Sequence, residues 1–502
     1  MAEENSPTRP FRVIIVGAGL LGLTAAHMFA KTDIDFVVLE QHDNLMPEIG
    51  SLLSLLPHTF RLLDQLGIMD AVLPIAERVD LGVLMSAYDG SIWNEERFSQ
   101  ILETNHGHGV RIVHRPHYVQ ALFKSLPKSA QPRVHVRKRV VRIEVTADGV
   151  AVHCADGTVE HGSMVIGADG VHSRTRQAMQ TLAAGSLLPA DAPQTQPSPY
   201  TTTYRLLFGN LPLLPGLSPN TNHEGAADGV STQLLTGTQR AWFAVYEKIA
   251  VPTSERLRWS EADKLALLEK WGHLHVAPGY TLEDVNLVRN GPVGLINLEE
   301  GLVDTWWWKR IVLVGDAVRK LEPHAGLGYN TGVSDLVDLV NRLRHLTRGR
   351  TDSSSSSAPG VVVTTEDLEA VFRAYQKKRM EDTPAIISMS EKRARMCAWL
   401  STSDWIMARF LVPWLPLAEY SVNHILGPII CRAPVLDWLP EKQLPARAMP
   451  YVHHPRLETK EKVSYSNGTT LSATSVSRLP LLTGTLVLAA LATVGFRLYR
   501  RI

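Results

Sequence analysis

The stretch FRVIIVGAGLLGLTAAHMFAKTDIDFVVLE, residues 11–40, decides the fold. Val13 to Val16 is a short, β-branched apolar run, the pattern of a strand buried on both faces. Gly17, Gly19 and Gly22 then open a helical stretch, Leu20 to Ala30, and Phe36 to Leu39 read as a second strand ending on Glu40. Strand, helix and strand in that order predict a βαβ unit. Each glycine has a mechanical reason: the first allows a tight turn, the second lets backbone approach a pyrophosphate, and the third lets helix and strand pack closely. The helix N-terminus offers unpaired N–H groups to the phosphates. Glu40 is placed to accept hydrogen bonds from ribose hydroxyls, and its charge disfavours a 2′-phosphate. The expected nucleotide is FAD or NAD rather than NADP.

Further along, VEHGSMVIGADGVHSRTRQAM, residues 159–179, reads as a strand from Met164 to Ile166 turning through Asp169 and Gly170 into a helix, with Ser173 and Arg176 at fixed offsets. Before it, apolar and polar residues alternate across Asp-Gly pairs at 148–149 and 156–157, the signal for an antiparallel meander inserted into the nucleotide domain. A third turn lies in GDAVRKLEPHAGLGYNTGVSDL, residues 315–336: the end of a strand, an acid, a proline, two glycines and a helix.

The chain as a whole predicts an α/β protein with a Rossmann-like dinucleotide domain. Residues 1–180 are its first part, 181–300 a mostly β substrate domain, and 301–400 its second part with helices. Strand patterns such as YTTTYRLLFG and TQRAWFAVYEKI support the β domain, and Leu368, Val371, Phe372 and Tyr375 share a helical face. Residues 401–450 form a hydrophobic cap broken by Pro413, Pro416 and Pro428, read either as a cap resting on a membrane surface or as an ordinary core segment. The serine run at 351–360 reads as a solvated insertion.

Fifty-one lysines and arginines balance 50 aspartates and glutamates, so nothing in the charge suits a nucleic-acid backbone. Cys154, Cys397 and Cys431 are too dispersed for a zinc knuckle and too few for a disulfide framework, and no metal site is expected. The polar start lacks the features of a signal peptide, which predicts a catalytic body in the cytosol. After a polar linker, 451–478, the uncharged run 479–496 would reach ~27 Å as a helix, close to a hydrocarbon thickness. It is expected to be a single-pass membrane anchor, with the endoplasmic reticulum as the natural membrane; a buried C-terminal helix is the other reading.

The three turns, at Gly17-x-Gly19-x-x-Gly22, Asp169-Gly170 and Gly315-Asp316, resemble the fingerprints of single-component flavin monooxygenases, the group that includes para-hydroxybenzoate hydroxylase. PEIGSLLSLLPHTFRLLDQLG (47–67), VHRPHYVQALF (113–123) and YTTTYRLLFG (200–209) are most similar to fungal FAD-dependent epoxidases of indole-diterpene and meroterpenoid pathways. That resemblance implies that Asp316 binds the ribityl chain of FAD and that Pro323 lies beside the reactive flavin edge. It also implies that Gly326 and Gly328 admit the ring to bare backbone, with Tyr329 and Asn330 opening a helix whose positive end faces it. Arg115 matches an arginine that contacts the flavin or its pyrophosphate, with a surface salt bridge as the other reading. Ser54 stands among the cofactor-binding positions where relatives often have glycine, His58 replaces an asparagine, and Arg319 stands where a histidine is common. Tyr204 matches a tyrosine at the catalytic face, and a core tyrosine is the alternative. Trp306, Trp307 and Trp308 read as packing or as a stacking platform.

The implied reaction is epoxidation or hydroxylation of a bulky hydrophobic, isoprenoid substrate with O2, NADPH or NADH visiting transiently to reduce FAD. The rivals are a flavin oxidase or dehydrogenase without oxygen insertion, and a non-enzymatic prenyl-group carrier.

Overall fold

The structure, a computed structural model, describes residues 10–45, 52–185, 198–351, 363–442, 445 and 447–456. Its central sheet grows from the quoted unit. The strand Arg12–Val16 pairs in parallel with Asp35–Leu39 on one side and Met164–Gly167 on the other. Ile311–Leu313 extends the sheet in parallel, and Trp307–Trp308 closes that edge antiparallel. Val13, Ile14 and Ile15 have no exposed surface, which is why this strand carries no polar alternation. Helix Leu20–Phe29 packs against the helices Arg115–Ser125 and Gly328–Thr351. The expected meander is present as Val140–Val145, Val150–Cys154 and Val159–Gly162, antiparallel throughout.

A second, eight-stranded sheet runs in the order Arg319–Lys320, Asn290–Leu302, Thr201–Pro212, Arg240–Thr253, Val230–Thr236, Thr221–Ala227, Leu81–Ser86 and Ile92–Glu96. Its two faces follow the period of two along each strand. Leu207, Leu211, Phe243 and Val245 pack beneath the helices Glu261–Trp271 and Leu282–Leu287. Tyr204, Leu206, Phe208, Ala244 and Tyr246 point the other way, toward Ala394 and Ala398 at the end of helix Thr383–Cys397. The helical region after 364 is two helices rather than one. Thr365–Met380 ends at a break before Pro384, whose ring cannot follow a helical i−4 carbonyl without displacement.

Residues 402–431 form short helical turns that contribute Val422 and Ile430 to a cluster with Leu56, Leu327 and Trp242. Asn105 donates to Asn423 at 2.7 Å, and Arg61 both pairs with Glu441 and lies 3.7 Å over the Tyr451 ring. Trp306 is fully buried and donates its indole N–H to Val303, while Trp307 and Trp308 are half-buried in the edge strand; this is packing.

The expectation of a membrane-anchored protein is corrected: among the described residues no helix is long and apolar enough to cross a membrane. The apolar run 479–496, the linker from residue 457 onward and the serine run from 352 lie outside the described residues.

Candidate active site

The three turns meet. A Cβ on Gly17 would stand 2.8 Å from the Ala168 carbonyl oxygen and 2.9 Å from Asp169 Cα, so the first turn lies directly on the second. A Cβ on Gly22 would fall 1.8 Å from the Gly17 carbonyl oxygen, closer than any side chain tolerates. The third turn reaches the first through Leu21: a Cβ on Gly315 would lie 2.1 Å from Leu21 Cδ1. At Gly19, by contrast, nothing lies within 4 Å of where its Cβ would be. The helix that follows it has no side-chain cap. Open space over uncapped backbone N–H groups is the geometry that a phosphate fills. Glu40 closes the turn from below, accepting the Ala18 N–H on Oε2 at 2.8 Å and the His42 N–H on Oε1 at 2.9 Å.

Asp169 turns its carboxylate onto its own loop, accepting from the Ser173 hydroxyl and from the Thr175 N–H and hydroxyl. Burial raises its pKa despite these bonds. Arg176, itself buried, donates to the Val171 and Ala317 carbonyls, so one guanidinium ties the second turn to the third. Asp316 pairs with Lys320 at 2.8 Å. Burial works against the lysine's charge, but Asp316 outweighs it and the Lys320 pKa is raised. Arg115 is exposed at the start of its helix and, among the described residues, has no hydrogen-bonded or ion-paired partner; its charge is felt at Lys320.

Beyond Pro323, Gly326 takes φ +63°, and a Cβ there would lie 2.7 Å from Ser54 Cβ and Oγ. Asn330 fixes this approach. Its Oδ1 accepts from the Leu56 N–H and the Thr59 hydroxyl, and its Nδ2 donates to the carbonyls of Ser54 and Gly326, so all four bonds of the amide are used. Tyr329 points away from the loop and hydrogen-bonds with Thr24 and Tyr118, its pKa pushed up to about 12 by burial. Arg319 enters a buried cluster in which Asp335 sits between Arg319 and Arg379, both at 2.9 Å. His58 has one ring nitrogen 3.2 Å from the Asn330 carbonyl, and burial lowers its pKa to about 4. A small cleft opens beside it, lined by Leu56, Leu327, Asn330, Ser334 and Ile386.

On the sheet side, Tyr204 is buried with its hydroxyl unpartnered, and burial raises its pKa. Facing it are groups that the sequence did not single out. Glu322 binds His324, His324 reaches Ser231, and the Tyr246 ring lies 3.8 Å from the imidazole. Glu224 is paired with Arg393 and accepts the Cys397 thiol. Burial opposes the Glu224 charge, yet Arg393 holds its pKa below the ordinary value; the Cys397 thiol is pushed up by burial. Glu322 and His324 lie inside the proline-glycine loop, but no local signal named Ser231 or Glu224 as their neighbours.

Comparison with known proteins agrees with this geometry. The FAD binding domain family matches residues 11–189 and 288–356. FAD-dependent monooxygenase srdH of Neurospora crassa is 32% identical over 84% of this chain and 94% of its own length. FAD-dependent monooxygenase spyC of Aspergillus fumigatus is 31% identical over 86% of this chain and 88% of its own. Among solved structures, Klebsiella pneumoniae HpxO complexed with FAD and uric acid superposes with a TM-score of 0.65 at 19% identity, covering 83% of this chain and 97% of that one. A salicylate hydroxylase substrate complex gives 0.62 at 18%, covering 84% and 97%. The structures share the fold, the relatives share the sequence over nearly the whole length, and the glycine turns present the open backbone that the cofactor requires: this chain belongs to the FAD-dependent monooxygenases.

Proposed function

We propose that the enzyme uses NADPH or NADH and O2 to epoxidise or hydroxylate a bulky hydrophobic intermediate, prenylated or terpenoid, in secondary-metabolite biosynthesis. The observation that carries the cofactor assignment is the contact of the three turns around the open space at Gly19. In this reading the backbone of Gly17, Gly19 and Gly22 holds the pyrophosphate with Arg115, and Glu40 takes the adenosine ribose. Asp169 shapes the second turn, and Asp316 binds the ribityl hydroxyls. Ser54, Gly326 and Gly328 line the ring. Asn330 keeps Ser54 and Gly326 in register, and Tyr329 anchors that helix through Thr24 and Tyr118. Bound FAD supplies two-electron redox chemistry and the activation of O2. The chain supplies orientation, exclusion of water and hydrogen bonds at the reacting end, where Pro323 and Tyr204 stand.

Apolar surroundings support a hydrophobic substrate: Leu206, Phe208, Ala244 and Leu298 form one buried apolar cluster with Tyr204. A raised pKa keeps the Tyr204 phenol protonated at neutral pH, so it acts as a hydrogen-bond donor to a substrate oxygen rather than as a base. Purified protein given NADPH or NADH, ¹⁸O₂ and a panel of prenylated indoles and phenols is expected to yield products heavier by one labelled oxygen. Oxidised product without label would make the protein an oxidase and end this reading.

A further inference from the structure

Glu322, His324 and Ser231 form an unbroken chain of hydrogen-bonding groups beside Pro323. Glu322 Oε2 lies 2.7 Å from His324 Nδ1 and also accepts the His324 backbone N–H at 2.9 Å. His324 Nε2 lies 3.0 Å from Ser231 Oγ. The Glu322 and His324 side chains are each 2% exposed, and Ser231 is 1% exposed. A carboxylate only accepts, so Nδ1 carries a proton and Nε2 is the position that changes role. When Nε2 is bare it accepts the Ser231 O–H. When it is protonated it donates to Ser231 Oγ and releases the serine proton for another acceptor. Carboxylate, imidazole and hydroxyl in this order form a proton path whose middle member is oriented by the first. The Tyr246 ring, against the imidazole, holds its plane.

Two further observations place a ligand here. Glu322 Oε1 and Tyr204 Oη are both buried without a partner. A buried polar atom without a partner is costly, so two of them near one another mark where a polar ligand atom belongs. The charges that face His324 are Glu322 from its own loop, Glu224 from the sheet, and Arg393 from the helix behind; the Tyr246 and Tyr204 phenols and the Cys397 thiol complete the surroundings.

We propose that Glu322, His324 and Ser231 are a proton relay that opens an epoxide on the bound substrate, giving this site an acid-catalysed step after oxygen transfer. It rests on the oxygenation reading for the origin of the epoxide, but the step itself requires neither flavin electrons nor O2. Ser231 gives its hydroxyl proton to the epoxide oxygen as the C–O bond at the more substituted carbon breaks. The Nε2 proton of the imidazolium replaces it on Oγ. Water adds to the carbon and its surplus proton returns to Nε2, leaving a vicinal diol and an unchanged relay. Glu322 and His324 act through Ser231, as positioning and proton-storing groups.

FAD-loaded protein, held anaerobic and without NAD(P)H in H₂¹⁸O, is given the terminal epoxide of farnesyl phenyl ether. Labelled diol is expected, formed about a hundredfold more slowly by Ser231→Ala and His324→Gln, in line with a lost general acid. Ser231→Thr restores the hydroxyl and is expected to restore the rate. Glu322→Gln keeps an acceptor at Nδ1 and loses the charge that favours the imidazolium, so the alkaline limb of its pH profile, where the proton-donating form is lost, is expected to move to lower pH. Flavin absorbance and thermal unfolding report whether each variant folds; if His324→Gln does not, the Ser231 pair decides. Diol formation no faster than in buffer, or equal in Ser231→Ala and Ser231→Thr, overturns the relay. Label from ¹⁸O₂ in the aerobic assay without diol here leaves oxygenation standing and the relay overturned; diol here without aerobic label does the reverse.

Discussion

The glycine turns and the tyrosine-bearing sheet face are built by opposite means. At the turns, function is made by leaving side chains out: Gly17 and Gly22 let backbone meet backbone, Gly315 admits the Leu21 side chain, and Gly19 keeps a space clear. On the sheet face it is made by bringing side chains in, with Tyr204, Glu224, Ser231 and Tyr246 on four successive strands converging on one loop and one helix that lie far along the chain. The first kind of site is specified locally and tolerates almost no added atom. The second is specified by strand register, and single atoms can be removed from it without collapse.

The largest effect should come from adding one carbon to the first region. In Gly22→Ala the new Cβ meets a backbone oxygen at 1.8 Å, so the turn must move. A loss of at least about 3 kcal/mol in apoprotein stability is expected, with FAD binding abolished. Gly19→Ala separates the two functions of the turn. With nothing within 4 Å, the apoprotein should unfold within about 0.5 kcal/mol of the wild type, while FAD affinity falls at least about tenfold because the methyl fills the phosphate's place. Thermal unfolding of apoprotein and titration with FAD check both. Equal losses of stability in the two variants would erase the distinction between a packing glycine and a binding glycine.

Asn330→Ala tests the seam between the regions. It removes four hydrogen bonds and leaves the buried Leu56 N–H and Thr59 hydroxyl without acceptors, for an expected loss of about 2–4 kcal/mol in urea unfolding. Because Asn330 is what holds Ser54 against Gly326, flavin absorbance should shift even under conditions where the variant stays folded.

The contrast also explains what the sequence disclosed. The βαβ unit at 11–40, the turn at Asp169 and the meander could be read because their signals are local: a period, a glycine spacing, an Asp-Gly pair. The resemblance supplied the loop at 315–330. What stayed hidden depends on distant register. Nothing in residues 81–96 announces that Leu81–Ser86 will pair in parallel with Thr221–Ala227 and so widen the second sheet. Asn330 and Tyr329 were expected at the cofactor, and the structure shows the amide saturated by its own loops and the phenol turned toward Thr24 and Tyr118. Neither set of contacts can be read from a motif, since every partner except Gly326 lies 211 or more residues away. His324 and Glu322 were visible in the quoted loop, but Ser231, which gives them chemical meaning, is 93 residues off.

The smallest expected effect is the one that separates a core tyrosine from a working one. Tyr204 is 2% exposed, and its hydroxyl has no partner. In an ordinary core that atom is a liability, so Tyr204→Phe should leave stability unchanged or raise it by up to about 1 kcal/mol. If packing is all that Tyr204 does, turnover should be unchanged too. A donor to substrate oxygen predicts a different pattern: kcat/KM lower by about tenfold, FAD content and unfolding midpoint intact, and product shifted toward uncoupled NAD(P)H oxidation. Because burial raises the phenol's pKa, the acid form persists upward in pH, and the wild-type profile should show no loss of activity from Tyr204 between pH 7 and about 10. A basic limb in that window that disappears in Tyr204→Phe would show the phenol titrating where the fold forbids it, and would move the hydroxyl out of its buried place on the sheet.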